Sequence, residues 1–228
     1  MIVIVDYGMG NLRSVSKALE SLGAEVRVSS LPEDVGRAEK VILPGVGAFP
    51  AAMRELAARR LIEPIKVAIE SGKPYLGICL GLQLLFEYGE EGEGAAGFGV
   101  LKGRVRRFAF DSALRTPHSA LKIPHMGWNQ ISTQHPPHGV ADPPSRVAGT
   151  AHSTQTCPLL TNIPDSSFFY FVHSYYGDPV DRSVIAGETE YGSRFASMVW
   201  RKNLYATQFH PEKSQAVGLQ LLKNFISL

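Results

Sequence analysis

The first half of the chain alternates short apolar runs with stretches of helical periodicity. Ile2-Val3-Ile4-Val5 is continuous and β-branched, the mark of a strand buried on both faces. After a turn at Gly8 to Asn11, Leu12, Val15, Leu19 and Leu22 recur at three- and four-residue spacing. They predict a helix capped by Asn11 and stopped by Gly23. Glu25 to Val28 and Val41 to Leu43 read as the next strands, the second running into Pro44-Gly45-Val46-Gly47. A helical stretch follows, with Ile62, Ile65 and Ile69 on one side and an interruption or restart expected at Pro64. Tyr75 to Ile78 is a fourth buried strand, after which Leu82, Leu85 and Phe86 return to helical spacing. This rhythm of βαβ units predicts an α/β fold: an open, largely parallel central sheet with helices on both faces.

The second half changes character. Val100 to Phe108, Phe168 to Val172, Ser183 to Ala186, Phe195 to Trp200 and Leu204 to Gln208 read as strands. Several connections are too short for crossover helices, so antiparallel extension strands are expected beside the parallel core. Ser214 stands where it can cap a final helix, with Val217, Leu221, Phe225 and Leu228 on one face. Residues 133–157 are rich in Pro, Ser, Thr, His and Gly, lack periodicity, and read as a loop insertion. No internal repeat is visible, and 228 residues fit a single domain, 1–228.

Composition narrows the class. With 44% hydrophobic residues and a net charge of +2, nothing argues for nucleic acid or a membrane surface as partner. No run approaches the roughly 20 apolar residues of a membrane span. Met1 to Asp6 has no basic start, and its apolar run is too short for a signal peptide. Two cysteines do not make a disulfide framework, so a reducing, cytoplasmic location is expected.

Cys79 lies at the turn between the fourth strand and the helical spacing after it, in Gly77-Ile78-Cys79-Leu80-Gly81. This Gly-x-Cys-x-Gly is the cysteine counterpart of the Gly-x-Ser-x-Gly nucleophile elbow, and a helix start there favours a thiolate. Read on its own, Cys79 is either a nucleophile or a buried structural cysteine. His210-Pro211-Glu212 follows the last apolar strand, and an extended run would put both titratable groups on one side. That has the general form of a Cys-His-acid set, although the tripeptide alone reads more readily as a plain turn with a solvated glutamate. Gly8-Met9-Gly10 has Arg13 where a dinucleotide fingerprint needs its third glycine, and is discounted. His135, His138 and His152 lack metal-ligand spacing, and Lys102, Arg104, Arg106 and Arg107 read as a solvated stripe. Neither a metal nor a cofactor is expected.

Three blocks together carry a resemblance. Gly77-Ile78-Cys79-Leu80-Gly81-Leu82-Gln83, Pro44-Gly45-Val46-Gly47 before it and Gln208-Phe209-His210-Pro211-Glu212-Lys213-Ser214 after it resemble the class I (triad) glutamine amidotransferases in order and separation. Tyr7-Gly8-Met9-Gly10-Asn11-Leu12, Pro124-His125-Met126-Gly127-Trp128-Asn129 and Tyr170-Phe171-Val172-His173-Ser174-Tyr175-Tyr176 narrow the likeness. They resemble the glutaminase subunits of imidazole glycerol phosphate synthase, in histidine biosynthesis. The match runs along nearly the whole chain, departing at residues 133–157 and at Leu82, where Met is frequent.

The resemblance implies the flavodoxin-like fold of that family and a set of roles. Cys79 would attack the side-chain amide of glutamine, His210 would shuttle the proton, and Glu212 would orient His210. The oxyanion would be held by the amides of Leu80 and Val46, and the glycines flanking Val46 allow its peptide to turn over. Replacing Gly45 or Gly47 should then harm turnover more than folding. Gly47, Gln83, Glu91, Ser174 and Tyr175 would bind glutamine, although Glu91 sits in an acidic run that also reads as a solvated face. A (β/α)8-barrel cyclase would dock over the site, because free ammonia is lost or protonated in bulk water. Asn11, Pro124, His125, Met126, Gly127, Trp128 and Lys213 would meet it, with a core position the other reading of Trp128. Another biosynthetic amidotransferase, a stand-alone cysteine hydrolase of the same fold and a non-catalytic scaffold remain as rivals.

Overall fold

Alternate residues of the first strand face different cores. In the computed structural model, which describes residues 1–110, 121–133 and 156–228, β1 (Ile2–Val5) is buried throughout. Val3 and Val5 join one apolar cluster and Ile2 and Ile4 the other. The period of two along a strand divides a sheet's residues between its faces, so helices must cover both. Helices α2 (Pro32–Arg37), α3 (Phe49–Ala58) and α4 (Ile62–Glu70) bury Val35, Leu56 and Ile65 on the first face. Helices α1 (Leu12–Ser21) and α6 (Gln215–Ile226) bury Val15, Leu19, Leu221 and Phe225 on the second.

Among the described residues the central sheet has seven strands. Its parallel part runs β13 (Leu204–Thr207), β4 (Tyr75–Cys79), β3 (Lys40–Gly45), β1 and β2 (Val26–Ser29). Strands β11 (Ile185–Glu190) and β12 (Arg194–Arg201) extend it antiparallel beyond β13. A second sheet is ordered β10 (Tyr175–Pro179), β7 (Leu101–Arg107), β5 (Phe86–Gly89) and β6 (Ala95–Ala96). Strands β8 (His125–Gln130) and β9 (Phe168–His173) pair antiparallel with His125 opposite His173. Among the described residues no helix is long and apolar enough to cross a membrane.

Several expectations are corrected. The break in the long helical stretch precedes Pro64: Arg60 takes a left-handed φ of 57°, and the Leu61 amide reaches back to the Leu56 carbonyl. That is a Schellman stop, and Pro64 sits in the first turn of α4, where no amide hydrogen is needed. The helix after Cys79 is one turn only, α5 (Leu80–Gln83). Leu82, Leu85 and Phe86 are fully buried, which mimics helical spacing, but the Leu84 and Leu85 carbonyls accept the Phe98 and Leu101 amides and Phe86 opens β5. Arg182–Val184 is a 3-10 turn, so the strand expected from Ser183 begins at Ile185. Leu228 lies beyond α6 and is exposed. The central part of the expected insertion, 134–155, lies outside the described residues, as do His118, His135, His138 and His152.

Candidate active site

Three neighbouring parallel strands end at one place. Gly45 of β3 lies opposite Cys79 of β4, and Thr207 of β13 lies opposite Ile78. The residues that continue these strands, Val46, Leu80 and Gln208 to His210, therefore converge at the carboxyl edge of the sheet, where ligands bind in such folds.

Cys79 closes β4 with φ 55° and ψ −103°, and α5 starts on the next residue. Such a backbone costs about 1–3 kcal/mol and persists only where packing imposes it. The flanking glycines serve close approach: a Cβ on Gly81 would collide with the Leu43 carbonyl, and one on Gly77 would lie 2.6 Å from the Gly81 carbonyl. The sulfur is 3.9 Å from the Val172 carbonyl, and Gln208 Nε2 donates to it at 3.6 Å.

His210 Nδ1 donates to Glu212 Oε1 at 2.9 Å, with both side chains buried. The two meet across a 3-10 turn, Pro211–Lys213, rather than along the extended run expected. Burial opposes the imidazolium, but the neighbouring Cys79 sulfur and Glu212 carboxylate outweigh it, and the His210 pKa is pushed up to about 10. Among the described residues, neither His210 Nε2 nor Glu212 Oε2 meets a partner at ordinary hydrogen-bond geometry. The main chain fixes this turn: the His210 amide bonds the Tyr170 carbonyl, and Ser214 Oγ donates to the His210 carbonyl while accepting the Tyr170 amide. Ser214 therefore clamps the turn and makes no side-chain cap on α6.

A pocket of about 370 Å³ opens beside the sulfur. Val46, Gly47, Leu80, Gln83, Glu91, Ser174 and Tyr175 all line it. Pro124, read from sequence as a partner contact, lines it too, as do Val172 and His173, which sequence reasoning left without a role. The repeated His in Pro124-His125 and Val172-His173, directly opposed across β8 and β9, is the signal that could have found them. The Gln83 amide is committed within the wall, donating to the Tyr175 carbonyl at 2.9 Å and to Gln208 Oε1 at 3.2 Å. Glu91 Oε2 accepts the Phe49 amide at 2.7 Å, so this carboxylate serves the start of α3 while facing the pocket.

The expected partner contacts divide. Met126 is 62% and Trp128 46% exposed, which excludes the core reading of Trp128. Trp128 meets Tyr170 edge-on at 6.1 Å, and Lys213 Nζ lies 5.9 Å from the Tyr170 ring centre, so they form one surface cluster. Asn11 and Gly127 are half-buried. His125 is corrected: it is 3% exposed and points inward to His173. Of the basic stripe, Arg104 and Arg106 pair with Glu90 and Asp178 at the surface.

The model of the family "Glutamine amidotransferase class-I" matches residues 3–228, and this chain belongs to that family. Two relatives, from Syntrophotalea carbinolica and Aromatoleum aromaticum, are called imidazole glycerol phosphate synthase subunit HisH. They are 48% and 47% identical, over 99% of this chain in both cases and 98% and 97% of theirs. Within the family the chain stands with that group. The solved structure of PurLQS from Thermotoga maritima shares the fold, with a TM-score of 0.66 at 19% identity over 99% of this chain and 95% of that one.

Proposed function

We propose that this chain is the glutaminase subunit of an imidazole glycerol phosphate synthase. It hydrolyses glutamine through a cysteinyl thioester and passes the ammonia to a (β/α)8-barrel cyclase. The observation that carries the reading is the convergence of Cys79, Val46 and Leu80 on one amino-acid-sized pocket, with His210, held by Glu212, beside the Cys79 sulfur. The Cys79 thiolate adds to the side-chain amide carbon of glutamine, and the oxyanion is held by the Leu80 and Val46 amides. Collapse breaks the C–N bond as His210 gives its proton to the departing nitrogen, which leaves as ammonia. Water, deprotonated by the now neutral His210, attacks the thioester and releases glutamate. Glu212 holds the imidazole in the tautomer this needs.

Gly47, Gln83, Glu91, Ser174 and Tyr175 bind the substrate, with the Glu91 carboxylate nearest in charge to its ammonium group. The exposed Met126, Trp128 and Lys213 cluster, with Asn11, Pro124 and Gly127, supports a docking face for the cyclase. One domain spans 1–228, with residues of about 133–157 as its loop insertion. Both cysteines are free, which supports a reducing cytoplasm.

The test is glutamine hydrolysis by the full chain with and without a candidate barrel cyclase carrying its nucleotide ligand. Low activity alone, raised strongly by the cyclase and abolished by Cys79→Ala, is expected. Full activity without any partner would instead favour a stand-alone hydrolase.

A further inference from the structure

Two histidines outside the triad form a hydrogen-bond chain whose direction is fixed throughout. The Tyr175 carbonyl can only accept, so His173 Nδ1, 2.8 Å away, carries the hydrogen and its Nε2 presents a lone pair. His125 Nδ1 lies 2.9 Å from that lone pair and is therefore also the protonated nitrogen. Its Nε2 is left to accept, and it faces Asn129 Nδ2 at 3.3 Å. The Asn129 amide is held in this sense, because Nδ2 donates to the Glu190 carbonyl and Oδ1 accepts the Gln130 amide.

From the other side, Gln83 Nε2 donates to the same Tyr175 carbonyl and to Gln208 Oε1, and Gln208 Nε2 donates to the Cys79 sulfur. His125, His173, Gln83 and Gln208 are all buried. One unbroken set of contacts thus joins strand β8 to the sulfur.

We propose that His173, and His125 through it, are positioning residues that hold the Tyr175 carbonyl, set Gln83 against it, and so aim the Gln208 amide at the Cys79 sulfur. The role deepens the glutaminase reading and rests on it. The chain is not a proton path, since the Tyr175 carbonyl accepts from both sides and has no proton to pass on. Both rings must stay neutral, because a second proton on either would set one N–H against another. Burial meets this need, lowering the His125 pKa to about 4 and the His173 pKa to about 3.

The test is a cycle of His125→Phe, His173→Phe and the pair in the full chain, alone and with a barrel cyclase. Glutamine kinetics and alkylation of Cys79 by iodoacetamide are both read on variants shown to be folded. Each single variant should lower kcat and the alkylation rate about ten- to hundredfold, with KM changed much less. The pair should be no worse than the poorer single, because both cut the same chain. His125 does not line the pocket, so a packing role alone leaves alkylation at the wild-type rate. That result, or additive losses, overturns the proposal.

Asn129→Asp covers the case in which the phenylalanine variants do not fold. A carboxylate can only accept, so His125 Nε2 takes a proton, and ¹⁵N NMR tells the reversed neutral tautomer, which turns a lone pair on His173, from an imidazolium, which keeps its Nδ1–H. A reversed tautomer with slowed alkylation supports the proposal; a reversed tautomer with unchanged alkylation, an unreversed neutral tautomer, or an imidazolium with slowed alkylation overturns it. Wild-type protein that alkylates at Cys79 yet hydrolyses no glutamine in any assembly would defeat the glutaminase reading instead, and the alkylation data would still judge the chain of contacts.

Discussion

At the scale of single residues, the site rests on charge held in the dark. His210 and Glu212 are both buried, and the imidazolium survives there because two groups of opposite tendency outweigh burial. Replacing Glu212 by Gln removes one of them. Glutamine kcat/KM should fall by about 10²–10⁴, as in other triads deprived of the orienting acid. The alkaline limb of the pH profile, set by loss of the His210 proton, should move to lower pH. A pH–rate series on wild type and Glu212→Gln checks both. The stability sign follows the raised pKa: the His210 contribution is complete below its ordinary 6.5 and is lost as pH climbs through about 10.

Two glycines beside Val46, alike in sequence, differ in kind. A Cβ on Gly45 would run into the Tyr7 hydroxyl and lie 2.9 Å from Leu80 Cβ, so Gly45→Ala attacks packing and should lower Tm. For Gly45 this sets a folding cost beside the expected loss of turnover. Gly47 has φ 102° and only the mobile end of Met9 nearby. Gly47→Ala puts a side chain at that left-handed φ and should therefore cost more than about 1 kcal/mol of stability, while cutting kcat about tenfold or more through the Val46 amide. A urea midpoint and a glutaminase assay on the same sample separate the two.

At the scale of elements, the elbow is a contact between β3 and α5 as much as a turn. Gly81 packs its bare Cα against the Leu43 carbonyl, backbone on backbone. Gly81→Ala should cost about 3 kcal/mol or more, the upper end of overpacking, because neither side can yield as a side chain can. Denaturant midpoints measure it, and a loss below about 1 kcal/mol would contradict the geometry. This scale is also where sequence patterning failed. The run from Leu80 to Phe86 is wholly buried, and burial from all sides leaves no periodicity to distinguish a helix from a turn and a strand. Strand β8 escaped for the opposite reason: His-Met-Gly-Trp-Asn-Gln has no β-branched residue, and after the buried His125 it alternates only between exposed and half-buried.

At the scale of the whole molecule, the neutral histidine pair ties stability to pH on the acid side. Unfolded, both rings titrate near 6.5; folded, they resist protonation down to about 4 and about 3. Between those values the unfolded chain binds more protons, so stability falls as pH drops from above 6.5 towards 4. The His125→Phe and His173→Phe double variant should lose this part of the slope. Urea midpoints from pH 7.5 to 4.5 compare the two, and parallel curves would refute the assignment.

By itself the sequence determined the parallel core and where the candidate chemistry sits. Continuous β-branched strands admit only a sheet covered on both faces, and the positions of Cys79, His210 and Glu212 after such strands follow from local spacing. It also marked most of the residues that line the pocket, Val172 and His173 excepted, because they sit in short blocks around the strand ends. Only the tertiary structure decided that β13 lies beside β4, which brings residue 210 to residue 79 across more than half the chain. It also turned His125 inward, closed α5 after one turn, and engaged the Glu91 and Gln83 side chains with backbone partners. Each of these depends on a hydrogen-bond partner distant in sequence, and periodicity records which face a residue takes, not which atom it meets there.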